Sequence, residues 1–257
     1  MGIDTVRRRE QIIDRLCLEG SVRVEQLRHH FGVSSVTIRN DLRYLEQRGC
    51  ALRSYGGAML NQQFVFDRPL QDKGRLNRDV KSRIAARAAE LVQDGDTLIL
   101  DSGSTTAQIA PFLKAHRHLV VVTNALNIAC ELTGYEQIDV LVLGGSVRPN
   151  SYSLYGQAAE QQLRQYHFDR LFLGVDGFDL RCGITTPHAG EAQLNRVMCD
   201  VASEIIAVVD ASKFGRKSFC TIRGAAQIHR VITDSRIPEG YHRALCDLGV
   251  EVIIADG

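Results

Sequence analysis

The chain has 257 residues, 44% of them hydrophobic and 24% charged, the balance of an ordinary globular protein. No apolar run approaches the roughly 18 residues of a membrane span, and the basic start at Arg7-Arg8-Arg9 has no apolar core behind it, so neither a membrane protein nor a secretory leader is expected. The net charge of +1 divides unevenly: residues 1–60 carry 10 Lys and Arg against 7 Asp and Glu, a net of +3, which leaves −2 on the remainder.

Seven cysteines, at 17, 50, 130, 182, 199, 220 and 246, are odd in number and form no Cys-x-x-Cys pair. His29-His30 and His116-x-His118 have no further ligand at metal spacing. A reduced cytoplasmic protein without a structural metal or cofactor is the expectation.

Arg8 to Glu19 reads as a first helix, with Ile12, Ile13 and Leu16 inward and Gly20 as its stop. Ser21 is expected to cap a second helix carrying Val24, Leu27 and Phe31 at helical spacing. Gly32 turns the chain, and Ser34 caps a third helix whose Ile38, Leu42 and Leu45 form an inward stripe. Its other face offers Ser35, Val36, Thr37, Arg39, Asn40 and Arg43. Guanidinium forks, an amide, hydroxyls and a branched apolar group are what base edges and phosphates in a major groove require. Two helices, a Gly turn and a reading helix make a helix-turn-helix. Cys50 to Leu60 then reads as a hairpin with a Gly-Gly turn beside Arg53 and Tyr55, a wing able to touch the DNA backbone or minor groove. The partner is therefore double-stranded DNA, and heads of this kind work in pairs, so a homo-oligomer (dimer or tetramer) is expected.

Residues 61–80 lack a clean period and contain Pro69, so they read as a connecting segment that lets the head move. Arg75, Arg78, Lys81 and Arg83 then lead into a helix with Ile84, Ala88 and Leu91 on one side. This run suits either a solvated helix start or a further DNA contact.

From residue 81 to 257 apolar strands alternate with helices: 97–101, 119–123, 140–143, 171–175, 205–210, 231–234 and 250–254. Nearly continuous apolar runs separated by helix-length intervals predict an α/β domain with a mostly parallel sheet covered on both faces. Ligands bind beyond the carboxyl ends of such strands. There the chain places Asp101-Ser102-Gly103-Ser104-Thr105-Thr106, then Thr123-Asn124, Gly144-Gly145, Asp176-Gly177 and Asp210-Ala211-Ser212-Lys213. Hydroxyls, a glycine and helix N-terminal amides make an anion cradle, and Lys213 supplies a countercharge. Carboxylates opposite suit sugar hydroxyls, so the expected ligand is a phosphorylated polyol. Neither the Walker spacing nor Gly-x-Gly-x-x-Gly occurs, which argues against a nucleotide.

Arg8-Arg9-x-x-Ile12, Gly20-Ser21-Val22, Val33-Ser34-x-x-Thr37-Ile38-Arg39-x-Asp41-Leu42 and Arg53-x-Tyr55-Gly56-Gly57-Ala58 together resemble the DeoR-type regulators. Many members carry Arg where this chain has Asn40, which implies a shift toward adenine at that contact. The resemblance implies a winged helix-turn-helix domain at 3–60, a linker at 61–80, and a domain at 81–257 that binds the effector, oligomerises and is similar to ribose-5-phosphate isomerase. It also implies that Asp101–Thr106 is the phosphate loop, that Asp176-Gly177-x-Asp179 is an acidic motif, and that Glu191 belongs to the site. The isomerases' general base falls on Asn195 here, and an amide cannot abstract a proton. Tyr166–Asp176 and Glu191–Cys199 are similar to the amino-sugar operon repressors within the family, which implies an amino-sugar phosphate effector. The expected function is a transcriptional repressor relieved by a sugar phosphate. The alternatives are an active sugar-phosphate isomerase with an appended helical domain and a protein-binding adaptor.

Overall fold

A computed structural model describes residues 5–61, 67 and 69–255. Residues 3 and 4 of the expected head, and 62–66 and 68 of the expected connecting segment, lie outside the described residues. The head comprises α1 (Thr5–Glu19), β1 (Ser21–Arg23), α2 (Val24–Phe31), α3 (Ser35–Gln47), β2 (Ala51–Ser54) and β3 (Gly57–Leu60). Ile12, Leu16, Leu27, Ile38, Leu42 and Leu45 are buried together, so the inward stripes of three helices meet in one small core. Gly32 takes φ 64°, the left-handed conformation that ends α2 and starts the turn. Ser34 then accepts a hydrogen bond from the Thr37 amide at 3.1 Å, as an N-cap should.

Ser21 does not cap α2. It pairs with Met59 in β1, which joins the wing as a third strand in the order β1-β3-β2. Val22 alone of β1 is buried, and its alternation with exposed neighbours suits a strand rather than a helix start. Gly57 permits the pairing, because a Cβ there would lie 2.0 Å from the Val22 carbonyl oxygen.

Two charged residues are buried in the head, Arg8 and Asp41. Asp41, 1% exposed on α3, pairs with Arg8 Nε at 2.7 Å and Arg9 Nε at 2.8 Å. Arg9 also covers the Tyr44 ring, 3.8 Å from its centre. These contacts clasp α1 to the reading helix.

Next come α4 (Leu70–Arg75), α5 (Arg78–Ala89), β4 (Thr97–Leu100), α6 (Ala110–Leu113), β5 (Leu119–Thr123), α7 (Leu126–Leu132) and β6 (Ile138–Val142). They are followed by β7 (Ser146–Arg148), β8 (Ser153–Tyr155), α8 (Gln157–Leu163), β9 (Phe168–Gly174), β10 (Gly177–Asp179) and β11 (Gly183–Thr186). The last elements are α9 (Ala189–Val201), β12 (Ala202–Val208), β13 (Cys220–Arg223), β14 (Arg230–Thr233), α10 (Glu239–Asp247) and β15 (Glu251–Ile254).

Seven strands form one parallel sheet ordered β15-β14-β12-β9-β4-β5-β6, and all seven lie on the apolar runs. Leu98, Leu100, Phe172 and Ile206 face a core with Ile84, Ala88 and Ile128. Ile99, Leu171, Leu173 and Ala207 face the other, with Leu163, Leu194 and Met198. From β4 the chain steps outward to β6, returns to β9 on the other side of β4, and continues to β15. The reversal between β4 and β9 opens a crevice at their carboxyl ends.

The antiparallel sets β10-β11-β13 and β7-β8 were not expected, since strands of three or four residues show no period. The expected loose connection also differs. α4 lies against the body, with the Leu70 amide bonded to the Asn150 carbonyl at 2.7 Å. The body touches the head as well: Phe219 packs on the head core, 6.2 Å from Tyr44 between ring centres.

Asp41→Asn removes the buried carboxylate that Arg8 and Arg9 share, and a loss of about 3 kcal/mol in stability is expected. Urea unfolding of the full-length chain measures it.

Candidate functional site

The crevice is built from the ends of β4 and β9, the start of α9, and α4. After β4 come Asp101, Ser102, Gly103, Ser104 and Thr105; after β9 come Val175 and Asp176; Glu191 and Asn195 project from α9. Thr186, Ser151, Lys213, Leu70 and Lys73 also line it, with Gly174 and Ile222. Eight of the residues expected in the effector site thus share one cavity: Asp101, Ser102, Gly103, Ser104, Thr105, Asp176, Glu191 and Lys213.

Six others do not line it. Thr106 is fully buried and bonds back to the Gly103 carbonyl, which tightens the loop. Thr123 donates to the Leu100 carbonyl and accepts from the Ala125 amide, bracing neighbouring strands. Asn124 stands behind the loop, its Oδ1 accepting from the Ser102 amide at 3.0 Å while its Nδ2 donates to Leu154 O. Gly144 and Gly145 lead into β7, with Gly145 pressed against the Tyr155 backbone, because β6 is the sheet's edge and its end lies off the reversal. Gly177 sits in β10, where a Cβ would meet Arg216 O and Thr185 Oγ1 at 2.8 Å. These residues shape the wall and do not face the ligand space.

Charge is the site's main feature. Lys73 Nζ lies 2.7 Å from Asp176 Oδ1, and Arg148 Nη1 lies 2.7 Å from Glu191 Oε2. Thr186 Oγ1 donates toward both Asp176 Oδ2 (3.3 Å) and Glu191 Oε2 (2.9 Å). Lys81, only 2% exposed, donates to the Lys73 carbonyl at 2.6 Å and to Ser104 Oγ at 3.1 Å. Burial alone would raise the Asp176 carboxyl, but Lys73 and Lys213 hold it below its ordinary value. Burial raises Glu191, offset only in part by Arg148. Asp101 is pushed up to about 8 by burial and the Glu191 charge, against the hydrogen bonds from Asn195, Ser102 and Gly174. Among the cations, burial lowers Lys81 to about 8 and also lowers Lys213, despite Asp210 and Asp176.

Lys73, Lys81, Arg148, Ser151, Thr186 and Asn195 were not among the expected effector contacts. Lys81 sits in a basic run that looks like a solvated helix start, and Lys73 lies in the connecting segment, which has no clean period. Arg148 follows a Gly-Gly turn, and only its burial beside Glu191 and Asp67 gives it a role. Asn195 is where the isomerase resemblance places a base; it donates to Asp101 Oδ1 at 2.8 Å.

On the head, Val36, Arg39, Asn40 and Arg43 are exposed on α3, with Ser35 and Thr37 half-buried at its first turn. Arg43 Nη1 reaches Asn40 Oδ1 at 3.4 Å, so the two act as one polar pair on the surface. Tyr55 at the tip of the wing is fully exposed. Arg39, Arg53, Ser54 and Tyr55 border a cleft between the reading helix and the wing.

An exposed reading helix with a wing, joined to an α/β body with a polar buried crevice, defines a transcriptional regulator with a sensing domain rather than an enzyme. The DeoR-like helix-turn-helix domain matches residues 8–64, and the DeoR C-terminal sensor domain matches residues 76–235. The chain belongs to the DeoR family of transcriptional regulators. It is 46% identical over 97% of its length to a chain of Escherichia coli O157:H7 named as an aga operon transcriptional repressor, covering 94% of that protein. It is 31% identical over 96% of its length to the glycerol-3-phosphate regulon repressor of Escherichia coli K12, covering 97% of it. A ribose 5-phosphate isomerase A of Methanocaldococcus jannaschii superposes with a TM-score of 0.40 and 21% identity, over 54% of this chain and 55% of that one. No helix among the described residues is long and apolar enough to cross a membrane.

Asn195→Asp sets a second acid against Asp101. The pair then binds protons more tightly in the fold than in the unfolded chain, so stability is retained at low pH and lost as pH rises toward about 8, the value of Asp101. Melting temperatures should match wild type near pH 4 and fall behind it progressively toward pH 8.

Proposed function

We propose that this chain is a cytoplasmic repressor of a sugar-utilisation operon, released from its operator by a phosphorylated sugar bound in the crevice. The head reads DNA as part of a homo-oligomer. Arg39, Asn40 and Arg43, with Val36 and Thr37, meet base edges in the major groove, while Ser34, Ser35, Arg53 and Tyr55 hold the backbone or minor groove.

The observation that supports the effector reading is a cavity with the hydroxyl loop Ser102–Thr105, braced by Lys81 at Ser104, on one side, and Asp176 and Glu191, with Lys213 beside Asp176, on the other. A phosphate dianion fits the first side, and hydroxyl or ammonium groups of the sugar fit the second. The names of the aga operon repressor and of the glycerol-3-phosphate regulon repressor support a carbohydrate phosphate. The carboxylates favour an amino sugar over a neutral one. The active-isomerase alternative has no support, since its base position holds Asn195. A thermal-shift screen of sugar phosphates tests this reading directly, because a ligand of the folded state raises its melting temperature.

Arg39→Ala should weaken operator binding by about 1–3 kcal/mol while leaving the thermal shift with a sugar phosphate unchanged. Binding by fluorescence anisotropy and melting curves on the same preparation read the two effects.

Lys81 gives a second expectation. Its ammonium is near half-protonated at about pH 8 in the empty site, and a bound phosphate favours the charged form. Binding at pH 9 should therefore take up a proton that Lys81→Met does not, while at pH 6 Lys81 adds no uptake. Calorimetry in buffers of different ionisation enthalpy measures the difference.

A further inference from the structure

The segment that leads from the head occupies the crevice itself. Lys73 fills the Asp176 position, and the Lys73 carbonyl takes one of the hydrogen bonds of Lys81, whose other goes to the Ser104 hydroxyl. Asp67 pairs with Arg148 at 2.6 Å, and Arg148 in turn holds Glu191. Asn150 Nδ2 donates to Asp67 Oδ2 at 3.1 Å, and Gln71 Nε2 to the Tyr152 hydroxyl at 3.1 Å. With these contacts made, the enclosed space is only about 40 Å³, room for a few waters and not for a sugar phosphate.

What holds α4 down is as informative as where it lies. None of its residues is buried, so its attachment is polar rather than apolar. Among the groups that hold it, Asp176 and Lys81 are ones a ligand would recruit. At its base Asn77 adopts a left-handed φ of 54° between α4 and α5, a break in the helical path where the segment can turn.

We infer that Asp67 and residues 69–76 form a strap in which Lys73 acts as a tethered stand-in for the ligand, and that an arriving sugar phosphate displaces it from Asp176 and lifts α4 off the body. This rests on the crevice being the effector site. The strap is joined through residues 61–66 to the wing, so its release changes how the head is held. Ligand and docked strap exclude one another, so effector affinity and operator affinity oppose each other, as linkage requires.

Hydrogen exchange on the full-length chain decides it, with galactosamine 6-phosphate, ribose 5-phosphate and inorganic phosphate as probes and a thermal shift on each to register binding. For a probe that binds, amide exchange in 70–76 should rise while exchange in 101–106 falls. Binding with α4 equally or better protected overturns the strap and leaves the site intact. No stabilisation by any probe overturns the site, and the strap with it. Lys73→Gln gives a second reading: about 3- to 10-fold tighter probe binding and a similar loss of operator affinity in the absence of ligand. Weaker probe binding, or no change in either affinity, would make Lys73 an ordinary contact and overturn the proposal. The exchange experiment needs no variant, so it stands even if Lys73→Gln fails to fold.

Discussion

A carboxylate withdrawn from water keeps its charge only if something nearby answers it, and three of them meet at the ends of β4 and β9. Asp176 is answered by Lys73 and Lys213, Glu191 by Arg148, and Asp101 by hydrogen bonds from Asn195, Ser102 and Gly174. Asp101 accordingly is the one driven up to about 8. The cations are constrained in the same way, since Lys81 is buried with a hydroxyl and a carbonyl as its partners. Mutual neutralisation of this kind lets charged groups of both signs be buried together at one place in the fold.

The sheet supplies the place and the head supplies the output. Only where the strand order reverses do two neighbouring strands send their following loops apart, so the hydroxyl loop and Asp176 face one another there. β5 and β6 end on the same side but farther along, which is why Asn124 supports the loop from behind and Gly144 lies off the cavity. In the head, the Asp41 clasp and the shared core fix the angle of the reading helix, so that whatever moves the head moves the helix as one body.

The parts of this architecture with long apolar runs were legible in the chain itself. Leu119–Thr123 and Leu171–Val175 advertise buried strands, and Ile38, Leu42 and Leu45 advertise the docked face of the reading helix. The loop Asp101–Thr106 was legible because hydroxyls and glycine after a buried strand have a physical use. What escaped notice was set by long-range proximity. Lys73 drew no reading because nothing local reveals a carboxylate 103 residues away, and Lys81 read as the solvated start of a helix although it is buried against Ser104. Ser21 read as a cap because its strand partner Met59 lies 38 positions further on. Thr186 belongs to a four-residue strand whose period is too short to detect.

Where the body touches the head has a geometric consequence. The head is carried by the covalent chain beyond Leu60 and, separately, by Phe219 against its core with Lys217 lying along Gly49. A rigid object pinned at two points retains one freedom, a swing about the line that joins them. A door on its hinges behaves in this way: the head can swing against the body along a single arc, and slack at either pin would turn that arc into a wobble.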